Sequence, residues 1–184
     1  MNKKFRLTIA ILTILAVMFG VGVTVAYLVA SSKTVLNVFT IGDIQLSLTE
    51  TTGTDYPLIP GTTVKKDPKL TVKAGSDACW LFFVIDASSD LSDYVTYGVA
   101  DGWKAFPGRN DVYYRQVADA KEDITFSLLK DDKIYIKDTI TEEQLSEIKT
   151  APALAFTGYA VQKVQLDTVE AAWHAIFGEE ARDR

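Results

Sequence analysis

After residue 43 the dominant pattern along the chain is a period of two. Ile44, Leu46 and Leu48 interleave with Asp43, Gln45 and Ser47, and Leu70, Val72 and Ala74 interleave with Lys69, Thr71 and Lys73. Ile124, Phe126 and Leu128 do the same with Thr125 and Ser127. Successive side chains of a strand point to opposite faces, so this alternation sets one face on a core and the other in water, as antiparallel sheets do. Residues 79–85 are continuously apolar and predict a central strand covered on both faces. Shorter strands are predicted over 94–99, 112–117, 134–137 and 154–166, separated by turn-forming groups such as Pro107-Gly108 and Asp131-Asp132. Eight or so short strands at this spacing predict an all-β fold, an antiparallel β-sandwich of jelly-roll type.

Two stretches break the alternation with a helical period. Thr141 is placed to cap a short helix over 142–149, with Gln144 closing a capping box and Leu145 and Ile148 facing inward. A second helix, over 168–177, has Asp167 as its expected cap and Glu170 as the partner in the box. Its apolar stripe is Val169, Ala172, Trp173, Ile176 and Phe177, and Gly178 ends it. No internal repeat or low-complexity tract is visible.

The first residues follow a different rule. Lys3, Lys4 and Arg6 form a basic head, residues 7–32 carry no charge, and the first acid is Asp43. A basic head, an apolar body and small residues behind it describe a secretory signal peptide. Thr24 and Ala26 supply the small side chains for cleavage between Ala26 and Tyr27, whereas Leu28 disfavours a cut after Ala30. The apolar run is also long enough to cross a bilayer, which takes about 20 residues. A retained anchor is therefore the alternative, with membrane contact only through this uncleaved segment. Either way the rest of the chain is expected outside the cytoplasm, secreted or held at the cell surface. The expected organisation is a signal peptide (1–26), a flexible N-terminal arm (27–37), a sandwich domain (38–178) and a charged C-terminal tail (179–184).

Charge then narrows the function. The chain carries 19 basic and 24 acidic residues; removing residues 1–26 takes three basic residues and no acid, so the mature net charge moves from −5 to −8. That acidity argues against a nucleic-acid partner. A single cysteine excludes an internal disulfide and a multi-cysteine zinc site, and a single histidine excludes paired imidazoles. There is no Gly-x-Ser-x-Gly elbow, no His-Glu-x-x-His helix and no glycine-rich phosphate loop. Cys79, in the most apolar strand, reads as a buried inert thiol, and His174 lies off the apolar stripe of its helix. Asp131/Asp132 and Glu142/Glu143 have the chemistry of calcium ligands but not the spacing of a calcium loop, and read as solvated turn and first-turn carboxylates. No catalytic residue, cofactor or metal is expected, and the protein is not expected to be an enzyme.

Two binding features remain. Trp103, Phe106, Tyr113 and Tyr114 surround the Pro-Gly turn and are candidates for an aromatic platform facing a sugar or a partner, with core packing as the competing explanation. The arm is β-prone and almost uncharged, Lys33 being its one charge. Tyr27, Leu28, Val29, Val35, Leu36 and Val38 are its candidate donor-strand residues. A free arm of this type can add as a strand to a neighbour's sheet edge, a head-to-tail contact that builds filaments rather than rings. Pairing of the arm within its own domain, or an arm that stays disordered, is the alternative.

Several stretches together resemble a known family. They are Val-Gly-Val-Thr-Val-Ala-Tyr-Leu (21–28), Asn-Val-Phe-Thr-Ile-Gly-Asp-Ile-Gln-Leu-Ser-Leu (37–48) and Ile-Pro-Gly-Thr-Thr-Val-Lys-Lys-Asp-Pro (59–68). Leu-Thr-Val-Lys-Ala-Gly-Ser-Asp-Ala-Cys-Trp-Leu-Phe-Phe-Val (70–84), Phe-Thr-Gly-Tyr-Ala-Val-Gln (156–162) and Glu-Ala-Ala-Trp (170–173) follow in the same order. The chain is similar in this to the TasA/camelysin family of exported Gram-positive proteins. The resemblance implies a jelly-roll domain, processing by a SipW-type signal peptidase, and self-association or association with a related fibre subunit of the biofilm matrix through the N-terminal strand. Two alternatives accompany it: a cell-surface adhesin or glycan-binding module, and the metallopeptidase activity attributed to camelysins. One histidine and no paired-ligand motif lend the peptidase reading no support.

Overall fold

The computed structural model describes residues 37–52, 56, 58–148 and 152–178, which fall in one compact unit beginning at Leu36. The described strands are β1 (Asn37–Ile41), β2 (Leu46–Thr49), β3 (Thr63–Lys65), β4 (Lys69–Val72), β5 (Cys79–Ala87), β6 (Val95–Thr96), β7 (Lys104–Ala105), β8 (Val112–Val117), β9 (Ile124–Ser127), β10 (Lys133–Ile136) and β11 (Leu154–Gln162). The helices are α1 (Leu91–Tyr94), α2 (Glu142–Glu147) and α3 (Val169–Phe177). The fold is mostly β, in three sheets with strand orders β1-β11-β5-β8-β7, β3-β10-β6 and β2-β4-β9. Every pairing is antiparallel except β1 with β11, which is parallel.

The apolar run at 79–85 becomes β5, paired along its whole length with β11, from Cys79↔Gln162 to Ala87↔Leu154, and with β8 on its other side. Both of its faces are buried, and alternation divides them. Leu81, Phe83 and Ile85, with Phe156 and Ala160 of β11, share one core with Leu48, Leu70 and Val72 of the β2-β4-β9 sheet and Ile134 and Ile136 of the β3-β10-β6 sheet. Trp80 and Phe82, with Val112 and Val161, pack instead against Val169, Ala172 and Trp173 of α3. The layers are thus a helix, a five-stranded sheet, and a third layer of two small sheets. Each large apolar side chain removed from water this way contributes roughly 1.5–3 kcal/mol. Gly158 on β11 marks a close approach between layers, since a Cβ there would overlap Leu70 Cδ2.

Several expected elements form as predicted: β8 spans the expected 112–117, and α3 buries Val169, Ala172 and Trp173 of its expected stripe, with Ile176 and Phe177 half-buried beside them. Thr141 caps α2 with the full capping box to Gln144. The cap of α3, however, is Thr168 rather than Asp167, its hydroxyl accepting a hydrogen bond from Ala171 N at 3.1 Å. Helix α2 stops at Glu147, where Ile148 turns extended. The strand expected over 94–99 shrinks to β6, because Leu91 and Val95 both enter the core one helical turn apart and α1 forms between Leu91 and Tyr94. β11 ends at Gln162 because a turn follows, closed by Leu166 N donating to Lys163 O, with Gln165 at φ 62°.

The connection from β2 to β4 is held by buried polar groups. Lys66 Nζ donates to both Glu50 oxygens at 2.8 and 3.1 Å, with side chains 5% and 4% exposed. Asp67 accepts from the backbone N–H of Thr51 and Thr52 at 2.9 and 3.1 Å and from their hydroxyls at 2.6 and 3.0 Å. These bonds, the Thr51 hydroxyl foremost, hold the Asp67 carboxyl well below the usual carboxylate range in spite of its burial. The unfolded value is about 3.9, so the stability Asp67 contributes is complete above about pH 4 and drains away as pH falls towards its folded pKa. Urea unfolding between pH 7 and pH 2.5 should therefore show a falling stability below about pH 4. Asp67→Asn should lose part of that slope and be roughly 2 kcal/mol less stable at pH 7; an unchanged slope would mean Asp67 is not the titrating group.

Candidate functional site

The two edges of the five-stranded sheet differ in kind. β7 is two residues long, begins with Lys104 and runs into Pro107 two residues after it ends, which are devices that blunt an edge. β1 is five residues, Asn-Val-Phe-Thr-Ile, with neither a charge nor a proline. Its inner side pairs with β11 from Asn37↔Thr157 to Ile41↔Val161. No strand among the described residues pairs with its outer side. Val38, Phe39 and Ile41 are 37%, 54% and 46% exposed. Phe39 stacks on Tyr159 of β11 at 5.2 Å between ring centroids, and Tyr159 meets Phe177 of α3 edge-on at 4.9 Å. An open backbone edge flanked by exposed apolar side chains is what strand addition requires: main-chain hydrogen bonds for affinity and alternate side chains for register.

The sequence-predicted donor residues straddle this boundary. Val38 lies in β1, so the arm's end is a strand of its own sheet, together with Asn37. Tyr27, Leu28, Val29, Val35 and Leu36, and the cleavage position at Ala26 and Tyr27, lie outside the described residues.

The four candidate aromatics do not share a surface. Tyr113 and Tyr114 are neighbours on β8 and necessarily point to opposite faces. Tyr113 stacks on Phe83 at 5.2 Å, and Trp103 meets the same ring edge-on at 4.7 Å while its Nε1 donates to Ser127 O at 2.9 Å. Phe106 and Tyr114 sit on the α3 side with Phe82 and Trp173. Arg115 closes the Trp103 side, its guanidinium 3.8 Å above the Phe126 ring; burial lowers its pKa from the usual value.

The remaining groups are placed as follows. Cys79 is fully buried, and burial pushes its thiol up to about 11, far from the thiolate that nucleophilic chemistry needs. His174 is exposed on α3. Asp131 pairs with Lys133 at 2.9 Å and Asp132 with Lys69 at 3.5 Å, while Glu142 and Glu143 lie exposed in the first turn of α2. Among the described residues, no three or more His, Cys, Asp or Glu side chains are grouped to hold a metal ion. Sequence pattern places the arm over 27–37 and residues 38–41 in the sandwich domain without marking a strand there; the signal for β1 is the uncharged run at 37–41, with Val38, Thr40 and Ile41 β-branched. Compared with known proteins, the chain matches no family model, no curated protein and no solved structure.

Proposed function

We propose that this chain is a secreted structural protein of the extracellular or biofilm matrix, a subunit or accessory subunit of fibres. Each subunit's N-terminal strand, drawn from residues 27–36, adds to the sheet of the next, and the domain itself is a jelly-roll β-sandwich. The export-type N-terminus and the resemblance to the TasA/camelysin pattern support this reading. The observation that carries it is the asymmetry of the five-stranded sheet, with one edge blunted and the other left long, apolar and uncharged. In sequence the proposed donor segment, 27–36, directly precedes β1.

The test uses mature protein beginning at Tyr27, with the N-terminus defined by mass spectrometry and fibres scored by electron microscopy. Deleting residues 27–36 should abolish fibres and leave a monomer with an unchanged circular dichroism spectrum. Phe39→Lys combined with Ile41→Lys should do the same from the acceptor side, since charge on an edge strand opposes pairing. Fibres that persist in both variants would sink strand donation.

A further inference from the structure

The open edge of β1 is short and has a direction. Gly42, at φ 98°, bends the chain out of the strand, so the edge ends at Ile41 and can be prolonged only backwards, towards residues 27–36. Those residues contain no Gly, Pro, Asn or Asp. Tight hairpin turns draw on Gly, Asn and Asp, so folding back onto β1 of the same molecule is disfavoured. A run that precedes β1 without a turn residue is suited to prolong it as one extended strand when a neighbour supplies the pairing.

For such a strand, polarity decides what assembles. Added antiparallel to β1 of a second molecule, it brings its own β1 alongside that molecule's arm. The two then complete each other as a closed dimer, the isologous case; with the faces reversed, one sheet would occupy the place of the other's arm. Added parallel, it carries its own β1 beyond the second molecule, free to accept a third, and the contact propagates.

We propose that residues 27–31 of one molecule add parallel to β1 of the next, in register from Tyr27 beside Asn37 to Ser31 beside Ile41, giving a fibre with an axial advance of about 33 Å, ten residues of parallel strand. This rests on the strand-donation reading and specifies its geometry. Offsets of five to eight residues would set Lys33, the one charge of the arm, beside residues 38–41 of an apolar edge. An offset of nine sets Ala30 and Ser32 beside Phe39 and Ile41. An offset of ten sets Leu28 and Val29 beside Val38 and Phe39, apolar against apolar. Because side chains alternate, an even offset also keeps the helix side of every sheet on one face. Val29 then lies on the face where Phe39 stacks on Tyr159. The longest strands, β5 and β11, have nine residues, about 30 Å, so an advance of about 33 Å lets successive domains clear one another.

Disulfide trapping in mature protein beginning at Tyr27 tests the register, since neighbouring strands lie about 4.8 Å apart, within disulfide reach; Cys79 is buried and stays out of the reaction. Oxidising assembled Val29→Cys/Phe39→Cys and Ser31→Cys/Ile41→Cys should each give a ladder of covalent oligomers. The crossed pairs Val29→Cys/Ile41→Cys and Ser31→Cys/Phe39→Cys, which antiparallel addition about the same centre would join, should not link. Cryo-electron microscopy of the unsubstituted fibre should show the advance of about 33 Å. Fibres that persist without residues 27–36 would remove strand donation itself. Fibres that need those residues, yet link only through the crossed pairs, give no ladder from the matched pairs or advance by a clearly different distance, would overturn the parallel register alone.

Discussion

Glu50→Ala should lower the unfolding free energy by about 3–5 kcal/mol, the largest loss expected from any single polar substitution. Lys66 Nζ sits 2.8 Å from Glu50 with both side chains almost fully buried, and aromatic rings of Tyr56 and Phe156 lie 5.4 and 5.8 Å from it. Removing the carboxylate leaves a buried ammonium group beside those rings without its ion-pair partner. Breaking a buried pair from one side is costly for this reason, while replacing both partners with apolar groups of similar volume is often neutral or stabilising. The double variant Glu50→Leu/Lys66→Met is thus expected to recover most of the loss and to equal or exceed the parent. Urea denaturation of the three proteins measures the cycle directly. A single variant as stable as the parent would mean that water reaches the pair.

Trp173→Ala should cost a similar amount, about 3–5 kcal/mol, by a different route. Trp173 meets Phe82 at 5.4 Å, Phe106 at 5.2 Å and Phe177 at 4.3 Å, and Arg109 covers its ring at 5.7 Å. Helix α3 has nine residues, too few to persist in water without packing. Losing Trp173 should therefore release α3 as well as open a cavity, exposing Trp80 and Phe82. Hydrogen exchange of the α3 amides should accelerate well beyond that of β4 or β5. Trp173→Phe should retain most of the protection, and uniform acceleration across all strands would instead indicate ordinary global destabilisation.

Much of this architecture was legible from residue order, for identifiable reasons. α3 was readable because five apolar positions at 3.6 spacing admit one face, and β5 because seven consecutive apolar residues need cover on both sides. The cap of α3 was ambiguous because Asp167 and Thr168 are both cap-forming residues in adjacent positions. The division of the aromatics was contained in the sequence, since adjacent Tyr113 and Tyr114 on one strand cannot face the same way. β3 and β7, at three and two residues, are too short for any periodicity to register. β1 depends on β11, far along the chain, and strand formation of that kind is decided by tertiary partners rather than by local preference.

The position of β11 between β1 and β5 sets an order of events during folding. β1, at the start of the described chain, has its one described partner strand near the end. β5 holds only β8 until residues 154–162 become available. Pairings between distant parts of a chain form slowly, because loop closure must precede the contacts that reward it. A nascent or truncated chain lacking β11 carries the apolar β5 with one side bare, ready to pair with another molecule. The domain can therefore close its main sheet only after its C-terminal part has arrived, and a premature stop ahead of Leu154 should yield an aggregating product rather than a smaller folded one.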